Sequence, residues 1–207
     1  MKHRYIEKLW FPVRVWEFAS GEHLLNRTLH DVQITEFRSY NTEGGVGTSF
    51  PHLEEWTQWK PLKTWFEGCA NELVTSNGWV CERLSVTSMW ANRSDAKTGH
   101  HHTPHRHPMS YLSGIYYVQG SAPTMFVDPL AQREWAQLHL DGGPLEETRL
   151  TYSPPPGTLL LFPSYLVHGS IPNDRNEDRY TIAVNFFPTG KINLGAWDEP
   201  MLTLDIK

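Results

Sequence analysis

Two hydrophobic textures divide the chain. Residues 62–76, LKTWFEGCANELVTS, place Leu62, Trp65, Phe66, Cys69, Ala70 and Leu73 three and four positions apart. That is the spacing of an amphipathic helix with one buried stripe, and Asn77-Gly78 follows as its stop signal. A second helix is expected around Gly21–Thr35, after the strand candidate LWFPVRVWEF and before the Gly-rich NTEGGVGTSFP. From Trp79 onward the apolar positions fall into short runs: RLSVTSMWA, YLSGIYYV, TMFV, GTLLLFP and YTIAVNFFP. Between them lie turn-forming clusters, DAKTG, QGSAP, SPPPG and PNDRNED. Short strands, Gly/Pro turns and no intervening helices predict a mainly β domain. A jelly roll (a double-stranded β-helix, cupin-like) is the natural form, with the N-terminal helices packed outside.

Length and composition narrow this picture. The 207 residues suit one domain: an N-terminal α/β support region over 1–78, the jelly-roll core over 79–188 and a C-terminal tail over 189–207. A hydrophobic fraction of 39% and nine tryptophans mark a globular chain, and exposed tryptophans would support a homodimer. A net charge of −5 without Lys/Arg clusters argues against a nucleic-acid partner. No run approaches the ~20 apolar residues of a membrane span, and MKHRYIEKLWFP lacks the apolar stretch of a secretory signal. With only Cys69 and Cys81, the expectation is a cytoplasmic protein without a membrane partner. The polar segment Ala131–Leu150 reads either as a cover over the barrel mouth or as a surface excursion without a role.

The chemistry concentrates in GHHHTPHRHP, residues 99–108. On a strand, residues i and i+2 share a face, so His105 and His107 would project together while Arg106 points away. Neutral imidazoles suit iron, zinc, copper and nickel. A solvated histidine tract without a metal is the competing reading of the same stretch. Far downstream, His168 follows the buried-looking Leu159–Phe162 run, and Arg179 opens the strand RYTIAVNFF. There Arg179, Thr181, Ala183 and Asn185 face one way, and Tyr180, Ile182, Val184 and Phe186 the other. Arg179 and Thr181 could therefore serve one carboxylate, or Arg179 could form a surface ion pair with Asp178 or Glu177.

The order His105-x-His107, His168, Arg179-x-Thr181 resembles the iron(II)/2-oxoglutarate-dependent oxygenases. HRHPMSYLSGIYYVQG, MFVDP and PPPGTLLLFPSYLVHGSIPN are similar to a narrower group from phages and marine bacteria, marked by H-x-H-P, LSG-x-YY and LFPS. The tandem tyrosines and the R-Y-x-I strand also resemble the prolyl 4-hydroxylase branch. The resemblance implies Fe(II) held by His105, His107 and His168, with 2-oxoglutarate and O2 as co-substrates. Arg179, Thr181 and Tyr117 would take the distal carboxylate of 2-oxoglutarate. A C–H bond of an unknown substrate, such as a prolyl or other peptide side chain, would be hydroxylated with release of succinate and CO2.

One departure stands out, because the broad family has a carboxylate where this chain has His107. A site with two protein ligands, or a carboxylate from Asp95 or Asp128, stays open beside His107, although Asp128 suits an F-x-DP turn better. A cupin-like three-histidine metalloenzyme without 2-oxoglutarate would give Arg179 no role, and a decayed binding module would not keep the motifs intact. His100–His102 are expected beside the site or in solvent, Trp90 in core packing, and Asn92 in a turn rather than at the substrate mouth.

Overall fold

The computed structural model describes residues 12–39, 45–130, 148–192 and 204–206. Its strands are β1 (Trp16–Ala19), β2 (Arg38–Ser39), β3 (Gly47–Thr48), β4 (Arg83–Ser94), β5 (Leu112–Gln119) and β6 (Thr124–Val127). They continue as β7 (Arg149–Tyr152), β8 (Thr158–Pro163), β9 (His168–Ser170), β10 (Arg179–Ile192) and β11 (Leu204–Ile206). The helices are α1 (Glu22–Gln33) and α2 (Lys60–Asn77). Strands pair antiparallel into a major sheet of order β1-β8-β5-β10-β4-β3-β2, with β11 on β10, and a minor sheet β7-β6-β9. Two facing antiparallel sheets of this kind make a double-stranded β-helix, as the texture predicted.

The period-2 pattern decides which face of the major sheet meets which partner. Leu159 and Leu161 join Tyr116, Ile182, Val184 and Phe186 in the larger core, where Leu62, Phe66, Cys69, Ala70 and Leu73 of α2 cover the sheet from outside. Leu160 and Phe162 point the other way, into a smaller cluster with Tyr117, Phe126 and Leu166 between the sheets. Burying α2's five apolar side chains stabilises the fold by about 1.5–3 kcal/mol for each large one. Gly78 ends the helix in the left-handed conformation (φ 64°), and its N–H and that of Trp79 cap the last carbonyls.

Several expectations shift. The strand in LWFPVRVWEF begins only at Trp16, where it pairs with β8, and Leu9–Phe11 lie outside the described residues. Of Ala131–Leu150, residues 131–147 lie outside the described residues, and Arg149-Leu150 begin β7. Asn92 is not in a turn: it sits within β4, buried and paired with Thr181 of β10. Trp56 is the exposed tryptophan among the described residues. No helix of the described residues is long and apolar enough to cross a membrane.

Candidate active site

Between the two sheets lies a cavity of about 80 Å³. Trp90 and Asn92 of β4, Gly114 and Ile115 of β5, and Arg179, Thr181 and Ala183 of β10 form one wall. Thr124 of β6, His168, Gly169 and Ser170 of β9, and the segment carrying His102, His105 and His107 form the other. The face of β10 assigned from its alternation is thus the inward one.

His105, His107 and His168 converge, with their ligating nitrogens within 4.8 Å of one another. His105 and His107 are not on a regular strand, contrary to the expectation for H-x-H. They lie on an extended segment tied to β9 by an isolated bridge, in which His105 and His168 exchange backbone hydrogen bonds of 2.8 and 2.9 Å. Their side chains still share a side, because an extended chain keeps the i, i+2 alternation. That bridge carries the first motif to the second across 63 residues of sequence.

Each histidine is oriented through its Nδ1. His105 Nδ1 donates to the Thr103 carbonyl (2.8 Å), His168 Nδ1 to the Leu166 carbonyl (3.0 Å) and His107 Nδ1 to Asn185 Oδ1 (2.7 Å). With the proton on Nδ1, every Nε2 keeps its lone pair for a cation. Burial holds the His168 imidazole neutral, down to about 3, and also lowers His107. Three pre-oriented imidazoles are a donor set that fits a divalent transition metal.

The alternative carboxylates are elsewhere. Asp95 pairs with Arg93 (2.6 Å), and Asp128 Oδ1 accepts from the Leu130 N–H (2.8 Å) in the turn that F-x-DP suggested. Among the described residues, no carboxylate joins the three-histidine cluster.

Arg179 is 4% exposed, so the surface ion pair is overturned, and Asp178 pairs with Arg93 instead. Among the described residues no carboxylate lies within ion-pair distance of Arg179. Its Nη2 donates to Thr124 Oγ1 (3.0 Å), and its Nε is buried without a partner. A buried guanidinium left without an anion is costly, and burial lowers its pKa accordingly. Such a group on a cavity wall is built for an anion that enters. Thr181 lies beside it, 2% exposed, and opposite Tyr117 on β5. The Tyr117 hydroxyl donates to Thr124 Oγ1 (2.6 Å), while Tyr116 points to α2 and meets Ser20 (2.7 Å).

Two contributors escaped sequence reasoning, and a third, His102, is open there between the site and solvent. Thr124 joins Tyr117 to Arg179, Asn185 holds His107, and His102 lines the cavity with its ring centroid 6.0 Å from that of His105. Burial pushes His102 down to about 3, so it belongs to the cavity wall and not to solvent. Trp90, expected in the core, is half-buried on this wall and stacks on His107 at 5.4 Å.

Comparison with known proteins agrees with this geometry. Residues 88–185 match the family model described as "Putative 2OG-Fe(II) oxygenase". That match spans the two histidine motifs and Arg179 and covers just under half of the chain. Fe(II) and 2-oxoglutarate are the cofactors that this match and the three-histidine donor set support. No curated protein matches the sequence significantly.

Among solved structures, the fold of this chain is similar to that of the non-heme alpha ketoglutarate dependent epimerase SnoN from nogalamycin biosynthesis. The TM-score is 0.65 at 11% identity, over 94% of this chain and 91% of that one. A Pseudomonas putida prolyl-4-hydroxylase gives 0.58 at 13%, over 86% and 94%. HygX from Streptomyces hygroscopicus, solved with nickel and 2-oxoglutarate bound, gives 0.57 at 14%, over 91% and 88%.

Proposed function

We propose that the protein is an Fe(II)- and 2-oxoglutarate-dependent dioxygenase that hydroxylates a C–H bond, with His105, His107 and His168 as the metal ligands. Arg179, Thr181 and Tyr117 form the pocket for the distal carboxylate of 2-oxoglutarate in this reading. The observation that carries it is Arg179, a buried cation without an acid partner on the wall of the cavity that also holds the three histidines. A three-histidine enzyme working without 2-oxoglutarate has no use for that charge.

The Fe(II) and 2-oxoglutarate pair supplies the oxidising chemistry, with succinate, CO2 and a hydroxylated product as the outcome. The protein's residues hold and orient. The three Nδ1 hydrogen bonds set the imidazole planes, Arg179 offers a forked pair of donors, and the Thr124 hydroxyl keeps that fork and Tyr117 in place. Ile115, Ala183 and the packed sheets limit water in the cavity. An outer groove of about 570 Å³, lined by Ser49, Pro51, Trp90, Arg106 and Pro108, opens beside the histidines. Its volume suits a side chain presented on a peptide or protein, a prolyl one among them. The motifs group the chain with the H-x-H-P enzymes of phages and marine bacteria. The unpaired Cys69 and Cys81 suit a cytoplasmic setting, and residues 79–188 would be the catalytic core of one domain.

The test is succinate formation from 2-oxoglutarate, with Fe(II) and ascorbate, by wild type and Arg179→Ala. Turnover in wild type and its loss in the variant are expected. Equal turnover in both proteins would sink the oxoglutarate role.

A further inference from the structure

We infer that Asn185 is a positioning residue whose amide oxygen supports the metal-binding tautomer of His107; this rests on the proposed three-histidine metal site. The three histidines are not held alike. His105 and His168 each face a backbone carbonyl, which can only accept, so the main chain fixes their protons on Nδ1. His107 faces a side-chain amide, which can present either its oxygen or its NH2. With the oxygen toward His107, Nδ1 carries the proton and Nε2 is free for a metal. With the amide reversed, the proton moves to Nε2 and the ligand is lost.

The amide is set in a polar row that crosses the major sheet. Asn185 pairs directly with Ser88 of β4 and Ser113 of β5. Its Oδ1 accepts from Ser113 Oγ (2.8 Å), its Nδ2 donates to Ser88 Oγ (3.1 Å), and Ser113 Oγ meets Ser164 Oγ (2.9 Å). The Ser164 carbonyl accepts the His107 backbone N–H (3.2 Å), so both ends of His107 are tied to this row. Serine hydroxyls donate and accept by rotation, so Ser88 and Ser113 accommodate either amide orientation. The choice is therefore made jointly by Asn185 and His107, and a cation at Nε2 biases it toward the oxygen-facing arrangement.

Aspartate at 185 would remove the choice, because a carboxylate only accepts. It would also place a negative charge behind the ligand that stands where the family has an acid. Leucine at 185 would leave His107 unoriented; losses of this kind cost roughly 10–100-fold in metal affinity.

The experiment is Co(II) titration of the metal-free full-length protein, followed by visible absorption, with the melting temperature of each metal-free protein recorded beside it. Asn185→Leu is expected to bind Co(II) roughly 10–100-fold more weakly with an altered spectrum. Asn185→Asp is expected to match or exceed wild type. Affinity unchanged in Asn185→Leu, or lowered equally in Asn185→Asp, overturns the inference and leaves the metal site standing. If Asn185→Leu does not fold, Asn185→Asp decides alone: affinity at or above wild type supports the inference, and affinity about 10-fold or more below wild type overturns it. A wild type that binds no Co(II) removes the metal site itself, and this inference with it.

Discussion

Arg179 and Tyr117 meet through one hydroxyl. The Thr124 Oγ1 accepts from Nη2 of the guanidinium at 3.0 Å and from the phenol at 2.6 Å, while the guanidinium carbon lies 5.7 Å from the centre of the Tyr117 ring. Two strands of the major sheet and one of the minor sheet thus share one polar knot. The knot ties the cation to the scaffold without neutralising it.

A cation kept in this state trades stability for binding. Arg179→Met replaces a buried unpaired charge with an apolar side chain of similar length, a change that often stabilises a fold by about 1–4 kcal/mol. The expected outcome is a raised melting temperature for the metal-free, oxoglutarate-free variant. Its KM for 2-oxoglutarate should rise by about 100-fold, since losing a buried charged partner costs about 3 kcal/mol. Thermal melts and succinate assays read the two effects separately. A variant that is less stable without ligand would contradict the uncompensated charge.

Thr124→Val keeps the shape of that knot and removes its acceptor. Arg179 Nη2 and the Tyr117 hydroxyl would both be left buried without a partner. A loss of about 1–3 kcal/mol in urea unfolding is expected, with a several-fold rise in KM for 2-oxoglutarate and a smaller change in kcat. Thr124→Ser, which keeps the hydroxyl, should restore most of the KM. If serine fails to restore it, the methyl group and not the hydrogen bonds holds Arg179.

Much of this arrangement could be read from residue spacing. Alternation along RYTIAVNFF put Arg179, Thr181 and Asn185 on one face, and the pocket side is that face. The helical stripe of residues 62–76 and the Gly78 stop match α2, because both signals are local. What escaped depends on contacts between distant segments. Thr124 sits in TMFV, a run read only as a short strand, and matters because β6 crosses opposite Arg179. Asn92 looked like a turn residue until β10 paired with β4 beyond the apolar run. His100–His102 were open between a place beside the site and solvent, and the His102 backbone N–H, bonded to Ser170 Oγ, draws that residue against β9.

The same close approach makes Gly169 sensitive. A Cβ there would stand 2.6 Å from the His102 carbonyl oxygen and 3.2 Å from Pro104 N, both main-chain atoms. Gly169→Ala therefore has to push the His102–His105 segment away from β9, stretching the bridge that aligns His105 with His168. Overpacking of this kind costs about 1–3 kcal/mol. The variant should fold with a lowered melting temperature and bind Co(II) at least about 10-fold more weakly, as displaced ligands do. Gly68→Ala is the control, because a Cβ there meets nothing within 4 Å on the exposed side of α2. Equal Co(II) affinity in Gly169→Ala and wild type would mean that the histidine segment yields without moving its ligands.

Acid should weaken the metal-free protein through the same buried imidazoles. His168 titrates at about 3 in the fold, against 6.5 when exposed, because burial disfavours its charged form. Between those values the unfolded chain binds a proton that the folded chain refuses, so stability falls as pH drops below 6.5 and stops falling near 3. At pH 5 the deficit from this one residue is about 2 kcal/mol, from 1.36 kcal/mol for each unit below 6.5. Carboxylates add their own acid dependence, so the comparison is made between proteins. Urea unfolding at pH 7 and pH 5 should show metal-free wild type losing about 2 kcal/mol more than His168→Gln, which carries no proton to refuse. Equal losses in the two proteins would mean that His168 accepts its proton in the fold, and that the cavity is wetter than its packing implies.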